Sequence, residues 1–349
     1  MKYKRQHVVP NCYLAAWIEP VTPVGQQRAL WIFAKDGSGK HRKSPKKTFV
    51  ESDRYTVLLK DGERDLRVEH TLSQIESDFS GVLRRVQRHE KLTMRDKAKL
   101  AIFTAAMLGR TRRRADNWKH TWKDLRGLVS KYEGNGTEST ASGTLPEPLP
   151  PGAVRISAEE IDGFLVNSHP EYLINTIEIS APMLFAMDLA FYSTDDELGF
   201  LTSDEPSMMH NPTAYRYHPM MRSPGLLQRD VEVLLPLSPK LLIVFSHTPT
   251  YPYITPLSKE HVDAINRMIV WSADKEIVSW RGELRKEWFA PPESLPADAW
   301  RESPSEARDQ FEPLEGPQML DESRFPPAIP FEDNRPDEGP EPDLVKAPA

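Results

Sequence analysis

The stretch "LRVEHTLSQIESDFSGVLRRV" (residues 66–86) contains the most regular apolar pattern of the chain. Its apolar residues recur at alternating spacings of four and three, at Val68, Leu72, Ile75, Phe79, Val82 and Val86. This repeat is typical of a helix with one narrow apolar stripe, which another element must cover. We therefore predict a long helix here, packed by its stripe against a neighbour.

A second helix follows closely enough to be that neighbour. In "KLTMRD" (residues 91–96), Thr93 can cap a new helix and Asp96 can complete a capping box. The helix opens with "AKLAIFTAAMLG" (98–109), which is apolar nearly all round and therefore expected to be buried, and continues into the basic, aromatic segment 110–132. We predict that the two helices pack against each other as a helical hairpin.

Three charged residues are placed along the seam of this hairpin. Glu69 and Glu76 each follow a stripe residue directly, so both carboxylates lie along the same edge of the buried face. Counted from a turn near Leu92, Glu76 lies 16 residues before and Arg110 lies 18 residues after. At about 1.5 Å per residue, the two sit at nearly the same height on antiparallel helices. We predict a Glu76–Arg110 ion pair, which either orients the hairpin or handles a substrate.

Shorter elements flank the hairpin on both sides. Helices are predicted at about residues 11–17, 157–167, 170–188 and 259–275. Strands are predicted at 28–35, 54–60, 189–194, 199–204, 231–239 and 240–247, and the first two are expected to pair as a hairpin or small sheet. Because strands and helices do not alternate strictly, the predicted fold class is α+β, with the helical hairpin and further helices packed on a small mixed or antiparallel sheet.

The net charge of −6 averages two different regions. Residues 290–349 carry 15 Asp or Glu against 5 Lys or Arg, together with 13 of the 32 prolines. Such a segment buries too little apolar area to offset its ordering entropy. We predict a disordered, Pro-rich acidic tail at 290–349, with a protein as its candidate partner. Residues 1–289 are predicted to form a single globular domain with a flexible insertion at about 133–156.

Composition also restricts the location and the cysteine chemistry of the protein. No stretch approaches the roughly 20 apolar residues of a spanning helix, and "MKYKRQHVVP" has no apolar segment behind its charged head. We expect a cytoplasmic protein without membrane contact. A lone Cys12 excludes an intramolecular disulfide and a multi-thiolate zinc site, and its apolar neighbours indicate a buried structural thiol.

His7 and Asp204 are the candidate functional residues outside the hairpin. Pro10 keeps Val9 extended, so His7 is presented from a lead-in strand, where an imidazole could bind a metal, act as a general base or simply make hydrogen bonds. In "FLTSDEP" (200–206), an apolar strand runs into Asp204 and stops at a proline. At this strand end Asp204 could ligate a hard cation, accept a proton or hold the loop through an Asx turn.

Basic residues cluster at 40–47 and 110–114, and the second cluster is followed by Trp118 and Trp122. Lys and Arg interleaved with aromatic residues suit a phosphate backbone and unstacked bases, whereas many such clusters are only solvated charged faces. The nucleic-acid contacts predicted for this basic helix involve Arg112, Arg113, Arg114 and Lys119.

Short motifs occur along the chain in the order "QHVVPNCYLAAW", "ESDRY", "LSQIE", "GRTRRR", "LTSDEP", "LPLSPK" and "INRM". The ordered set resembles the family known as domain of unknown function 4238, over about residues 6–275. That family is functionally uncharacterised, so the resemblance implies positions rather than an activity. The matching positions are His7, Pro10, Tyr13, Leu14, Tyr55, Glu69, Glu76, Arg110, Ser203, Asp204, Pro206 and Asn266.

The polar matching positions indicate a site rather than a core, because isolated buried charges are costly unless they are paired. Our leading hypothesis is a hydrolase-like enzyme, in its most specific form a metal-dependent phosphodiesterase or nuclease. The predicted catalytic residues are His7, Glu76, Arg110 and Asp204, with Arg110 holding a phosphate. Glu69, Glu76 and Asp204 are the predicted ligands of a divalent metal such as Mg²⁺ or Mn²⁺. The alternative is a non-catalytic module that binds nucleic acid or a protein.

Overall fold

The predicted helical hairpin is present in the structure, a computed structural model that describes residues 5–22, 24–59, 62–134, 156–217, 222–248 and 254–290. Helix α2 spans Arg67–Gln87 and helix α3 spans Met94–Gly109. Phe79 of α2 and Phe103 of α3 stack face to face, with 3.6 Å between the ring centroids. The apolar stripe of α2 is thus covered by α3, as its sequence pattern requires.

The helix after the hairpin turn is broken, whereas the sequence pattern predicted one continuous helix. The predicted capping box of Thr93 and Asp96 begins α3, but a new helix, α4, starts at Arg112 and runs to Gly134. Gly109 precedes the break, and a Cβ added there would lie 2.9 Å from the side chain of Leu173. The close contact with Leu173 therefore demands a glycine, which is a weak helix former, and the helix ends at that point.

The other helices lie within a few residues of their predicted positions. They are α1 (Asn11–Leu14, extended by a 3₁₀ turn at Ala15–Trp17), α5 (Ala158–Val166), α6 (Ser168–Ala186) and α7 (Lys259–Ser272). Helix α6 packs against α3, so the hairpin is covered on a second side.

The described residues form four sheets. Their strands are β1 (Arg5–His7), β2 (Leu30–Ala34), β3 (His41–Lys43), β4 (Val50–Ser52), β5 (Val57–Leu58), β6 (Arg64–Asp65), β7 (Asp188–Ser193), β8 (Thr202–Ser203), β9 (Met208–His210), β10 (Glu232–Ser238), β11 (Leu241–Ser246), β12 (Ile254–Pro256) and β13 (Glu276–Ser279). The strand orders are β12-β7-β11-β10-β9, β3-β2-β13-β8, β1-β4 and β5-β6. All neighbours are antiparallel except β12 and β7, so the fold is α+β as predicted.

The predicted pairing of residues 28–35 with residues 54–60 is wrong. Strand β2 pairs with β3 instead, and β5 pairs with β6. Gly37 and Gly39, between β2 and β3, have φ of 82° and 64°. This left-handed backbone, which glycine adopts without strain, reverses the chain at once, and the next segment becomes the partner strand.

The N-terminal strand is tied to the segment that follows β4. Strand β1 pairs with β4, with His7 opposite Val50. The buried side chain of Gln6 donates to the Thr56 hydroxyl (3.1 Å) and accepts from the backbone N–H of Tyr55 (2.6 Å). The strand that carries His7 is therefore bonded to the segment that carries Tyr55.

Helix α1 connects the hairpin with the second sheet. The hydroxyl of Tyr13 shares a hydrogen bond with the hydroxyl of Thr202 (2.8 Å), and Trp17 Nε1 donates to the carbonyl of Phe200 (3.2 Å). The Tyr13 ring centroid lies 6.4 Å from that of Phe79. The strand end that carries Asp204 is thus held against the N-terminal segment.

Two predictions fall outside the described residues. These are the acidic tail, apart from its first residue, and most of the predicted insertion at 133–156. Among the residues that the structure describes, no helix combines the length and the apolar character needed to cross a membrane.

Candidate functional site

His7 is held by strand β1 with one ring nitrogen occupied and the other unused. Backbone carbonyls of Pro45 and Lys46 accept from the imidazole, while Nε2 is sealed from solvent and has no hydrogen-bond partner among the described residues. Burial lowers the pKa of His7, the Glu76 carboxylate opposes this and the Arg110 guanidinium adds to it. The imidazole is therefore neutral at pH 7, with a free lone pair on Nε2.

The predicted ion pair between Glu76 and Arg110 is present, with 2.7 Å between Oε1 and Nη2. The Arg110 side chain is only 4% exposed. Burial alone would lower the pKa of Arg110, but Glu76, Tyr55 and Glu69 together raise it. Its Nε has no partner within the described part of the chain, so this fixed positive charge keeps one unused donor.

Tyr55 and Glu69 complete the group. The Arg110 guanidinium lies 5.7 Å from the centroid of the Tyr55 ring, and the buried Tyr55 hydroxyl has no partner among the described residues. Burial raises the pKa of Glu69, Arg110 opposes this and the charge of Glu76 adds to it. We call His7, Tyr55, Glu69, Glu76 and Arg110 the imidazole cluster.

The imidazole cluster has the composition of an acid–base site. The pKa of His7 is lowered and that of Glu69 is raised, and the buried Arg110 guanidinium acts on the charge of both groups. Two titratable groups shifted in opposite directions are typical of general acid–base catalysis. Cys12 lies close by, but burial raises the pKa of its thiol to about 11, so it is a structural thiol rather than a nucleophile.

Asp204 is placed elsewhere and has other partners. Its carboxylate accepts from the backbone N–H of Asp274 (2.9 Å), Lys275 (2.8 Å) and Glu276 (3.2 Å), none of which belongs to the imidazole cluster. These bonds hold the end of β8 to the start of β13. We call this arrangement the Asp204 brace. Both oxygens of Asp204 thus accept hydrogen bonds that hold two strands together. A catalytic role for Asp204 stays a prediction.

Two further matching positions support the same loop. Ser203 Oγ accepts from the backbone N–H of Glu205 at 3.0 Å. The amide of Asn266 on α7 accepts from Leu201 N and donates to the carbonyl of Gly199, both at 2.8 Å. Ser203 and Asn266 are therefore structural residues of the strand end.

The predicted metal ligands do not form a compact group. Among the described residues, no three His, Cys, Asp or Glu side chains are placed together so that they could hold a metal ion. Glu69 and Glu76 lie in the imidazole cluster, whereas Asp204 belongs to its own brace. Metal binding by these residues stays a prediction.

Glu205 is a candidate residue that the sequence reasoning missed. Its side chain is 2% exposed, its Oε2 lies 4.0 Å from Arg113 Nη2, and its Oε1 has no partner among the described residues. Burial raises the pKa of Glu205 to about 7, although Arg113, Arg114 and the nearby Thr111 hydroxyl lower it. The strand-end argument that singled out Asp204 applies equally to the next residue, and this was the available signal.

The basic helix is already engaged with the rest of the protein. Arg112 pairs with Glu51, and Arg113 approaches Glu205. The positive charge of Arg114 lowers the pKa of Glu205, and that of Lys119 lowers the pKa of His169. The two tryptophans predicted to stack on bases are half-buried and pack against other aromatic side chains of the protein, Trp118 against Tyr172 and Trp122 against Phe164. Nucleic-acid binding by this helix stays a prediction.

A family model described as "Protein of unknown function (DUF4238)" matches residues 5–283, which is most of the chain. Comparison with curated proteins and with solved structures finds no significant match. The matched range contains the imidazole cluster, the Asp204 brace and the strand-end loop. The chain therefore belongs to the DUF4238 family of proteins of unknown function.

Proposed function

We propose that the protein is a hydrolase of phosphate esters whose reaction centre is the imidazole cluster. One observation supports this above all. Three separate segments supply a neutral imidazole with a partnerless nitrogen, a carboxyl group of raised pKa and a buried guanidinium. The first two groups are a base and an acid, and the third suits the negative charge of a phosphate.

In the proposed reaction, His7 Nε2 takes a proton from water while the water oxygen attacks phosphorus. The bond from phosphorus to the leaving oxygen breaks, and the protonated Glu69 carboxyl donates its proton to that oxygen. Arg110, held by Glu76, stabilises the charge on the other phosphate oxygens. Water and a phosphodiester give a phosphomonoester and an alcohol, and solvent carries the proton from His7 back to Glu69.

A substrate would enter where the imidazole cluster meets solvent. Tyr55 and Arg110 are buried, whereas Glu69 is half-buried and the Glu76 side chain is 27% exposed. Because His7 Nε2 is sealed from solvent in this structure, the side chains that cover it must shift to admit a substrate. The proposal therefore includes an opening movement of these side chains.

The metal-dependent form of the proposal uses the same two glutamates. Mg²⁺ is commonly held by one or two carboxylates together with the phosphate of a substrate, and Glu69 and Glu76 are such a pair. Asp204 could join them only by leaving its three backbone donors. Activity measured with Mg²⁺, with Mn²⁺ and with a chelator distinguishes the two forms.

The test is hydrolysis of bis(p-nitrophenyl) phosphate by the full chain under those three conditions. We expect His7→Asn and Glu69→Gln each to lower kcat/KM by about 100-fold, the usual size of an acid–base contribution. Glu171→Gln is the matched control, since Glu171 is also a half-buried glutamate whose pKa burial raises, but it lies on α6. No hydrolysis under any condition, or unchanged rates in both cluster variants, would contradict the proposal.

The pH profile supplies a second readout. His7 must be unprotonated and Glu69 protonated, so kcat/KM should follow a bell-shaped curve. Its acid limb lies below pH 6.5, because the pKa of His7 is lowered from that value, and its alkaline limb lies above pH 4.5, because the pKa of Glu69 is raised. We expect Glu69→Gln to abolish the alkaline limb while the acid limb persists in the residual activity.

A non-catalytic binding module is the second candidate, and the observation that favours it is the exposure of Arg113, whose side chain is 42% exposed on the basic helix. Fluorescence anisotropy with labelled single-stranded DNA at increasing salt tests it. Counterion release predicts that affinity falls steeply with salt. Such binding without hydrolysis of the diester would favour this candidate over the enzyme.

A further inference from the structure

A cleft of about 410 Å³ lies beside the imidazole cluster. Its walls are the end of β4 and the turn after it, the β5–β6 hairpin, the end of α5 and the first turn of α6. Arg54 lines the cleft and lies 5.9 Å from the centroid of the Tyr55 ring, which Arg110 also approaches. The cleft and the imidazole cluster are therefore neighbours, since an arginine of each approaches the same aromatic ring.

Two arginines provide positive charge in this cleft. Arg54, whose side chain is 5% exposed, pairs with Glu51 at 2.6 Å, and Arg64 pairs with Asp53. Arg112, which does not line the cleft, also pairs with Glu51, so this carboxylate is shared by two guanidinium groups. The three arginines of this network together carry one positive charge more than Glu51 and Asp53. Such a surplus, on side chains held by ion pairs, favours an anionic ligand.

His169 adds a titratable donor to the same wall. Its Nε2 lies 3.5 Å from the Asp116 carboxylate. Burial, with help from Arg54 and Lys119, lowers the pKa of His169 although Asp116 opposes this, so the imidazole is neutral at pH 7. A neutral imidazole keeps one N–H, which can donate a hydrogen bond to an oxyanion.

Apolar side chains form the rim of the cleft. Leu58 is 49% exposed and Val166 is 65% exposed, although both are large apolar residues that line a cavity. The side-chain amide of Asn167 accepts from Leu58 N (2.9 Å) and donates to its carbonyl (3.2 Å), which fixes the rim in place. A preformed rim of this kind suits the apolar part of a ligand.

The backbone of the cleft is strained at the residue that orients Arg64. Asp53 has φ of 54°, a left-handed conformation that is uncommon for a residue other than glycine. Strain of this kind persists where the surroundings hold it, and it is concentrated at functional sites. Here it presents the carboxylate of Asp53 to Arg64 inside the cleft.

We infer that this cleft binds a small organic anion, with one oxyanion group at Arg54, Arg64 and His169 and an apolar body against Leu58 and Val166. The oxyanion is a phosphate or a carboxylate, because each presents a pair of oxygens to which a guanidinium can donate two hydrogen bonds. The inference does not rest on the proposed hydrolysis, since it concerns binding alone.

Isothermal titration calorimetry of the full chain tests this inference with phenyl phosphate and with benzoate. We expect saturable binding of at least one of them, about tenfold tighter than that of inorganic phosphate, because the ring adds apolar contact. The better of the two probes identifies the oxyanion. Binding of neither probe, or binding no tighter than that of inorganic phosphate, would overturn the inference.

Variants locate the binding. Arg64→Gln and His169→Gln should each weaken the better probe about fivefold or more, and Val166→Ser should remove the advantage of the ring. Arg88→Gln is the matched control, because Arg88 is an exposed arginine at the end of α2, far along the chain from the cleft residues. A thermal melt verifies folding of each variant, and His169→Gln decides the matter if Arg64→Gln does not fold. Unchanged affinity in folded variants would show that the probe binds elsewhere.

Discussion

The imidazole cluster and the Asp204 brace are both built from buried polar residues, but only the brace satisfies its polar atoms. In the brace, three backbone N–H groups donate to one carboxylate. In the cluster, His7 Nε2, Tyr55 Oη and Arg110 Nε have no partner among the described residues. Two sets of similar chemistry thus differ in how completely their hydrogen bonds are formed.

This difference separates stability from function. A buried polar atom without a partner costs about 1–3 kcal/mol, so the cluster lowers stability where the brace raises it. Native proteins keep few such atoms, and those that persist call for an explanation such as catalysis or an ordered water. The comparison predicts that mutations of fully bonded groups, in the brace or in the Glu76–Arg110 ion pair, lower stability, whereas mutations of the partnerless groups of the cluster mainly change what the protein does.

The largest effect should come from Asp204→Ala. This change leaves three backbone donors without their acceptor, and we expect the free energy of unfolding to fall by about 3–5 kcal/mol. Denaturant unfolding measures it. Asp274→Ala is the control, because it keeps the backbone N–H that donates to Asp204, and we expect a change below about 1 kcal/mol. Equal losses in the two variants would disprove the brace.

The next effect should come from the ion pair inside the cluster. Glu76→Ala strands the buried charge of Arg110, and we expect a loss of about 2–4 kcal/mol. Asp78→Ala is the matched control on the same helix, since Asp78 and Lys99 pair at the same distance of 2.7 Å but with both side chains more exposed. There we expect a loss of about 0–1 kcal/mol. Similar values for both pairs would mean that Arg110 is better solvated than its burial implies.

A pH-dependent effect should arise at Glu205. Folding raises its pKa from 4.5 to about 7, so the folded protein binds the proton more tightly. Its contribution to stability is fully present below pH 4.5 and is lost as the pH rises to about 7. The Glu205→Gln side chain cannot ionise. The free energy of unfolding of this variant, minus that of wild type, should therefore be about 1–3 kcal/mol larger at pH 8 than at pH 4. Chemical denaturation at both values measures this, and a difference independent of pH would contradict it.

The smallest effect on stability should come from His7→Asn. The variant loses the bond from the imidazole to the backbone but also removes the partnerless Nε2, and the two changes oppose each other. We expect the free energy of unfolding to change by less than about 1 kcal/mol. A loss above 2 kcal/mol would place His7 with the structural residues of the brace.

The parts of this molecule that the sequence could predict depend on short-range patterns. The stripe of α2, the capping box at Thr93 and the height of Glu76 relative to Arg110 all follow from spacing along one hairpin. The packing that covers the stripe could be foreseen because an exposed apolar stripe is unstable.

The remainder depends on contacts between distant segments. The pairing of β1 with β4, which carries His7 toward Tyr55, has no signature in either segment. The break at Gly109 follows from its contact with Leu173, which belongs to another helix. Asp204 and Glu205 are adjacent in sequence, yet one is fully bonded and the other keeps a partnerless oxygen, a difference set by the elements around them.

The contact between Tyr13 and Thr202 has a consequence for synthesis of the chain. Tyr13 and Trp17 meet their hydrogen-bond partners 189 and 183 residues later in the sequence. At about 5–20 residues per second, a ribosome needs about 10–40 s to make that interval. During this time the first helix can contact the hairpin, through Phe79 and Phe103, but not the second sheet, so its hydrogen bonds to that sheet can form only late in synthesis.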